Sequence, residues 1–89
     1  MAVHDDELTL IQAAQRGDVN AFNALVLQHQ DAVYTAAYRI LGDPDSAADV
    51  AQDAFINAHR KLDTYRGGVF RAWLLRIASN LAYDALRYD

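Results

Sequence analysis

Asp49–Arg60, DVAQDAFINAHR, is the stretch whose reading decides the fold. At about 100° per residue, Ala47, Ala51, Ala54, Phe55, Ala58 and Leu62 fall on one side of a helix. Asp49, Gln52, Asp53, Ile56 and Arg60 fall on the other. The first set can bury against a core. The second is a polar stripe with an isoleucine at its centre, a residue for which a purely solvated face has little use. Carboxylates, an amide and one exposed aliphatic together describe a surface for a protein partner.

Working outward, the chain divides into four helices with a breaker at each junction. The first is expected from Asp5 or Asp6 to Arg16, with acidic residues at its positive N-terminal end and Gly17 as its stop. The second starts near Asp18–Asn20 and continues to Gly42. Its length makes the polar patch Gln28–Asp31 a place for a kink, with Phe22, Leu25, Val26, Val33, Ala37, Ile40 and Leu41 as its apolar positions. In Gly42-Asp43-Pro44-Asp45, Pro44 disfavours helix at Asp43, and Asp45 or Ser46 is expected to cap helix three, which covers Ser46–Leu62. Ser46 and Asp49 also have capping-box spacing. Thr64–Val69 is a loop whose paired Gly67 and Gly68 permit positive φ. Helix four covers Phe70–Arg87.

Helix four is two-sided as well. Phe70, Trp73, Leu74, Ile77, Ala78, Leu81 and Ala85 form a wide apolar stripe. Across from it lie Ala72, Arg76, Ser79, Asn80, Tyr83 and Arg87. That set of guanidinium groups, amide, hydroxyl and aromatic ring can bind phosphates, contact base edges and stack on unpaired bases.

Composition agrees with a small helical unit. Eighty-nine residues with 53% hydrophobic content make one domain rather than two, and one Pro, four Gly and no Cys fit an all-α chain without disulfides or a thiolate metal site. The expected architecture is a compact three- to four-helix domain. No apolar run approaches the roughly 20 residues needed to span a bilayer, and the acidic start lacks signal-peptide order. The chain therefore reads as soluble and intracellular, with no membrane partner. Net charge is −4, unevenly spread: residues 1–59 carry two basic and nine acidic residues, residues 60–89 six basic and three acidic. A local cationic excess leaves nucleic acid open as a partner despite the acidic total.

Enzymatic chemistry finds no support. His4, Asp5 and Asp6 sit at a terminus where ligand clusters are usually accidental. His29 and Asp31 face different directions, and Asp49 and Asp53 have no third ligand at helical spacing, since His59 points aside. No nucleophile elbow, zincin, phosphate-loop or dinucleotide motif occurs. No catalytic residue, metal site or cofactor is expected.

The order of the motifs carries a resemblance. LGDPDSAADVAQDAFINAHRKLDTYRGG followed by VFRAWLLRIASNLAYDALR resembles region 2 of bacterial RNA polymerase sigma factors, in the extracytoplasmic-function (ECF) group. The runs A-x-D-V-x-Q-x-x-F, Y-R-G-G and W-L-x-R-I-A-x-N stand in family order and spacing. Upstream, RGDVNAFNALVLQHQDAVYTAAYRILG resembles the segment that precedes them. The resemblance implies one sigma region 2 domain over residues 1–89, a transcription initiation factor rather than an enzyme.

Its implied partners are the coiled coil of the polymerase β′ subunit and the non-template strand of the minus-ten promoter element. By position, Asp49, Gln52 and Asp53 would make polar contacts to the coiled coil and Ile56 an apolar one. His59 and Arg60 would lie towards the far end of that interface. Tyr65, Arg66, Gly67 and Gly68 fall in the segment that captures a flipped base. Phe70, Trp73, Arg76 and Asn80 correspond to the strand-separating and base-contacting part, although the helical position of Trp73 also suits the core. Arg71, Arg76 and Arg87 are read as phosphate contacts, with Ser79 and Tyr83 on the same DNA-facing side. The chain stops at LRYD with no region 4, which reads as a domain fragment or truncated sigma factor. The competing reading is a sigma-like interaction module that binds polymerase or an anti-sigma protein without effective DNA recognition.

Overall fold

The computed structural model describes residues 3–88, with side chains from Glu7 to Tyr88. α1 spans Val3–Gln15, α2 Val19–Leu41, α3 Pro44–Arg60 and α4 Phe70–Arg87, with a 3-10 turn at Leu62–Thr64. No strand occurs among the described residues, and the expected all-α domain of three to four helices has four. The side chains of His4, Asp5 and Asp6 lie outside the described residues.

Local chemistry sets the helix ends. Asp18 is extended, and its carboxylate accepts from the Ala21 N–H at 3.2 Å, opening α2. The helix then runs continuously through the polar patch Gln28–Asp31. At its end Gly42 takes φ 71° and donates its N–H to the Tyr38 carbonyl, a left-handed stop that a side chain would strain. The start of α3 corrects the sequence reading. Neither Asp45 nor Ser46 is the cap: Asp43 is, accepting from the Ser46 N–H at 2.8 Å, and Pro44 is the first helical residue. The steric rule that keeps a residue before proline out of helix leaves Asp43 extended, which is the N-cap conformation. Proline at the first position loses no hydrogen bond.

The end of α3 is also shorter than expected. The helix closes at Arg60, and Leu62 belongs to the tighter 3-10 turn that follows. That turn swings Leu62 into the core at 4% exposure. From α1, the Gln15 side-chain amide donates to the carbonyls of Leu62 and Tyr65, each at 3.1 Å, tying turn and loop to the first helix.

α2 is the central helix, packed against α1, α3 and α4, while α3 and α4 pack on each other. The contacts among α2, α3 and α4 are lined by small residues: Ala37, Ala47, Ala54, Ala58, Ala78 and Ala82 are all at most 1% exposed. Such residues allow helix axes towards the near end of the usual 8–10 Å separation. Larger side chains fill the spaces between them, with Leu25, Leu74 and Val33 fully buried and Phe22, Phe70 and Ile11 closing the end nearest α1. A second cluster of Ala37, Ala47, Val50 and Ala82 sits beside Tyr34, Ile40 and Leu41. The sequence reading assigned neither Val50 nor Ala82 to the core, and it buried Ala51 and Phe55 more deeply than the structure does.

Replacing Ala78 by Leu should destabilise the protein by about 1–3 kcal/mol, because an alanine-lined helix contact cannot accept the added volume without strain. Chemical denaturation of the two proteins measures this. The Asp43 carboxyl is held below its usual range by the Ser46 backbone N–H. A depressed carboxyl contributes stability above its unfolded pKa and loses that contribution as pH falls through its folded value. Asp43→Asn, which preserves a good cap, should flatten the stability profile in that acid window and leave neutral stability close to wild type.

Candidate functional site

Two concave regions and one exposed helix stripe hold most of the candidate residues. The first region is an open groove of about 750 Å³ between α2 and α3. Phe22, Val26, Ala51 and Phe55 give it an apolar floor, and Asp31, Tyr34, Gln52, Ile56, His59 and Arg60 lie around it. His59 sits edge-on to the Phe22 ring, with centroids 4.8 Å apart, so it leans across to α2 rather than out along α3. Ile56 is 45% exposed, an aliphatic held at the surface by helical register. Of the six residues carried over for coiled-coil contact, Gln52, Ile56, His59 and Arg60 meet in this groove. Asp49 and Asp53 stand outside it on the exposed face of α3.

The α2 half of the groove was not anticipated. Phe22 and Val26 read as core positions, and Asp31 and Tyr34 had no role. The available signal was the spacing of Val19, Phe22, Asn23, Val26 and Gln30, which lays a mixed polar and apolar strip beside the buried one.

The second region is a cavity of about 470 Å³ bounded by α1, the Tyr65–Val69 loop and the start of α4. Gly67 and Gly68 take φ 120° and 84°, a turn open only to residues that tolerate the left-handed region. Tyr65 braces it: its hydroxyl donates to the Gly68 carbonyl, and its ring packs edge-on against Phe70 and Trp73 at 5.2 and 5.5 Å. Desolvation, reinforced by the Glu7 charge, pushes the Tyr65 hydroxyl above its usual pKa. Trp73 is half-buried in this cluster and shares both core and surface roles. Val69, at the mouth, is 71% exposed.

His29 lies against the same cavity, only 3% exposed on α2. Its Nδ1 accepts from the Arg71 Nε–H at 3.2 Å. Its Nε2 faces the Glu7 carboxylate at 3.5 Å without completing a hydrogen bond. Burial lowers its pKa, the Glu7 charge opposes that shift and Arg71 adds to it, so the ring is neutral near pH 7. The sequence reading considered His29 only as a metal ligand; the buried register i, i+4 from Leu25 and to Val33 was the signal for a core position. No cluster of metal-ligating residues occurs among the described residues.

α4 carries the third region. Arg76, Ser79, Asn80, Tyr83 and Arg87 share one stripe, with Ser79 half-buried and the others exposed. Arg87 makes a surface pair with Asp84 at 3.6 Å, an interaction of small worth in water. Arg71 does not join them. Five residues before Arg76, it sits about 140° away round the helix and belongs to the loop cavity. The residues carried over for DNA contact therefore form two patches, one at the loop and one along α4.

Comparison with known proteins agrees with this architecture. Residues 25–89 match the sigma-70 region 2 family. The chain is 44% identical over 78 residues to the ECF RNA polymerase sigma-E factor of Escherichia coli K12, a match covering 86% of this chain and 40% of that one. An engineered region 2 of sigmaE, solved by NMR in complex with GTAAAA, superposes with a TM-score of 0.86 at 38% identity, covering 99% of this chain and 93% of that one. CnrH, solved with the cytosolic domain of CnrY, gives 0.81 at 33% identity, covering 93% and 58%. The chain belongs to the sigma-70 region 2 family, in the ECF group of bacterial RNA polymerase sigma factors. It spans 40–45% of the length of the sigma-H and sigma-E relatives it matches. No described helix is long and apolar enough to cross a membrane.

A histidine with a lowered folded pKa makes the unfolded state bind the proton first. Stability should therefore hold above about pH 6.5, the ordinary histidine value, and decline as pH falls below it until the folded ring titrates. His29→Phe should remove this component, as urea denaturation at a series of pH values would show.

Proposed function

We propose that the chain is the polymerase- and promoter-binding unit of an ECF sigma factor, one region 2 domain spanning residues 1–89 and working in the cytoplasm. It docks on the β′ coiled coil of RNA polymerase through α3 and the α2–α3 groove. At the same time it holds the non-template strand of the minus-ten element at the loop and along α4. The observation that carries this reading is the separation of the two surfaces on one small body. Exposed Ile56 stands among Asp49, Gln52 and Asp53 on one side, and Arg76, Asn80, Tyr83 and Arg87 form a stripe on another helix.

The division of labour follows from the chemistry. A helical partner can bury apolar residues against Ile56, Phe55 and Val26, while Asp49 and Asp53 select cationic side chains and fix register. His59 and Arg60 extend the contact towards the end of α3. On the DNA side, Asn80 offers an amide to a base edge, Ser79 and Tyr83 add a hydroxyl and a ring, and Arg76 and Arg87 meet phosphates. Gly67 and Gly68 let backbone approach a flipped base beside Tyr65, with Arg66 and Arg71 available to its phosphates. Opening the duplex needs no bond-making by the protein, since unstacking costs a few kcal/mol and is offset by binding the single strand. The GTAAAA complex of the sigmaE relative supports the DNA half of this reading.

A second reading keeps the fold and the groove but not the DNA function: an interaction module whose partner is polymerase or an anti-sigma protein. The complex of the similar CnrH with the CnrY cytosolic domain supports its protein-binding half alone.

Binding of a single-stranded minus-ten oligonucleotide, with and without the β′ coiled coil, separates the two. Asn80→Ala should weaken sequence-specific binding about tenfold, roughly 1.4 kcal/mol, within the range of one base contact. Oligonucleotide binding that is absent or blind to sequence in the coiled-coil complex would leave only the interaction module. Asp53→Arg and Ile56→Glu should each reduce coiled-coil affinity about tenfold while helicity stays constant. Unchanged affinity in both would mean that this face of α3 is merely solvated.

A further inference from the structure

We infer that His29 is a positioning residue for DNA binding: its buried imidazole orients the Arg71 guanidinium at the mouth of the loop cavity to receive a backbone phosphate of single-stranded DNA. The inference rests on the DNA half of the function proposed above and extends it to a residue with no assigned role.

The geometry runs through three elements. His29 comes from α2, Arg71 from the first turn of α4 and Glu7 from α1. A buried imidazole costs stability unless its nitrogens are used, and an aliphatic side chain would fill the same volume more cheaply. Here the Arg71 Nε–H is donated to Nδ1 at 3.2 Å, which requires that nitrogen to be unprotonated and places the ring proton on Nε2. The Glu7 carboxylate, 3.5 Å from Nε2, favours the same tautomer. Among the described residues, the remaining titratable group of the cavity is Tyr65. Phe70 packs a tilted ring on the imidazole at 5.6 Å and limits its rotation.

Arg71 gains direction from this contact. With Nε committed to His29, its terminal nitrogens form the free end of a planar fork, and Arg71 has no carboxylate partner among the described residues. The guanidinium stands at an uncapped helix start, since no side chain accepts from the first turn of α4. Unsatisfied N–H groups at a helix N-terminus add to the attraction for an anion. Glu7, the one carboxylate among the described residues that lines the cavity, faces the Nε2 side of the ring, and Arg71 faces the Nδ1 side. Protonation of His29 would turn Nδ1 into a donor and set a second cation against Arg71, releasing the fork.

The test measures binding of labelled single-stranded GTAAAA to the whole chain across a salt series, for wild type, Arg71→Ala, His29→Phe and the double variant. Each phosphate contact on single-stranded DNA contributes about 0.7 to the slope of log affinity against log salt. Both single variants should lower that slope by about 0.7, and the double variant should lower it no further. Nitrogen NMR shifts of the wild-type His29 ring, which leave the core intact, should report the Nε2–H tautomer and should move at Nδ1 in Arg71→Ala. If His29→Phe fails to fold, these shifts decide. Wild-type binding with an unchanged slope in either single variant, additive slope losses in the double variant, or a protonated Nδ1 overturns the positioning role while the DNA-binding reading stands. Failure of wild type to bind GTAAAA in any salt, both alone and in complex with the β′ coiled coil, overturns both.

Discussion

Packing of α2, α3 and α4 across buried alanines is the constraint on which the remaining features depend. Ala37, Ala47, Ala54, Ala58, Ala78 and Ala82 are essentially without solvent contact. They contribute little apolar area individually, but they allow Leu25, Val33 and Leu74 to interlock between the helix axes. The arcs of α3 and α4 that face away from these contacts stay at the surface. Ile56 and the Asp49–Asp53 side of α3, and the Arg76–Arg87 side of α4, are exposed for this reason. The proposed division between a protein-facing and a DNA-facing surface is thus a consequence of which arcs are buried.

The loop between α3 and α4 depends on the same packing through a different set of contacts. Gln15 of α1 holds the carbonyls of Leu62 and Tyr65, and the rings of Tyr65, Phe70 and Trp73 pack as one cluster. Two glycines in the left-handed region complete the turn. A loop with few polar side chains is therefore held from three directions, which lowers the entropy lost when it orders a ligand. His29 adds a polar contact at the edge of this cluster. Buried between Glu7 and Arg71, it links α1, α2 and α4 where the core meets the cavity.

Much of the fold was legible in local sequence. Asp18 and Gly42 bound α2 as their chemistry requires, and the paired glycines mark the loop. The start of α3 was misread because three capping residues compete at Asp43, Asp45 and Ser46. Proline decides among them through backbone geometry, not through the side-chain spacing that drew attention to Ser46. The burial of Val50 and Ala82 was missed for another reason. A helical wheel finds one apolar side, but α3 and α4 each contact two neighbours, so their buried arcs are set by where those neighbours lie.

The functional surfaces divide in the same way. The sequence by itself determined the helix count, the exposed stripe of α3, the residues of the α4 stripe and the family motifs, because each is a pattern within one helix or one loop. Only the tertiary structure decided that α2 supplies half of the groove beside Ile56, that Arg71 parts from Arg76 and Arg87, and that His29 is a buried partner of Arg71. These are relations between residues as far as 42 positions apart in the chain. Helical periodicity carries information over a few turns; which faces meet is fixed only when the helices pack.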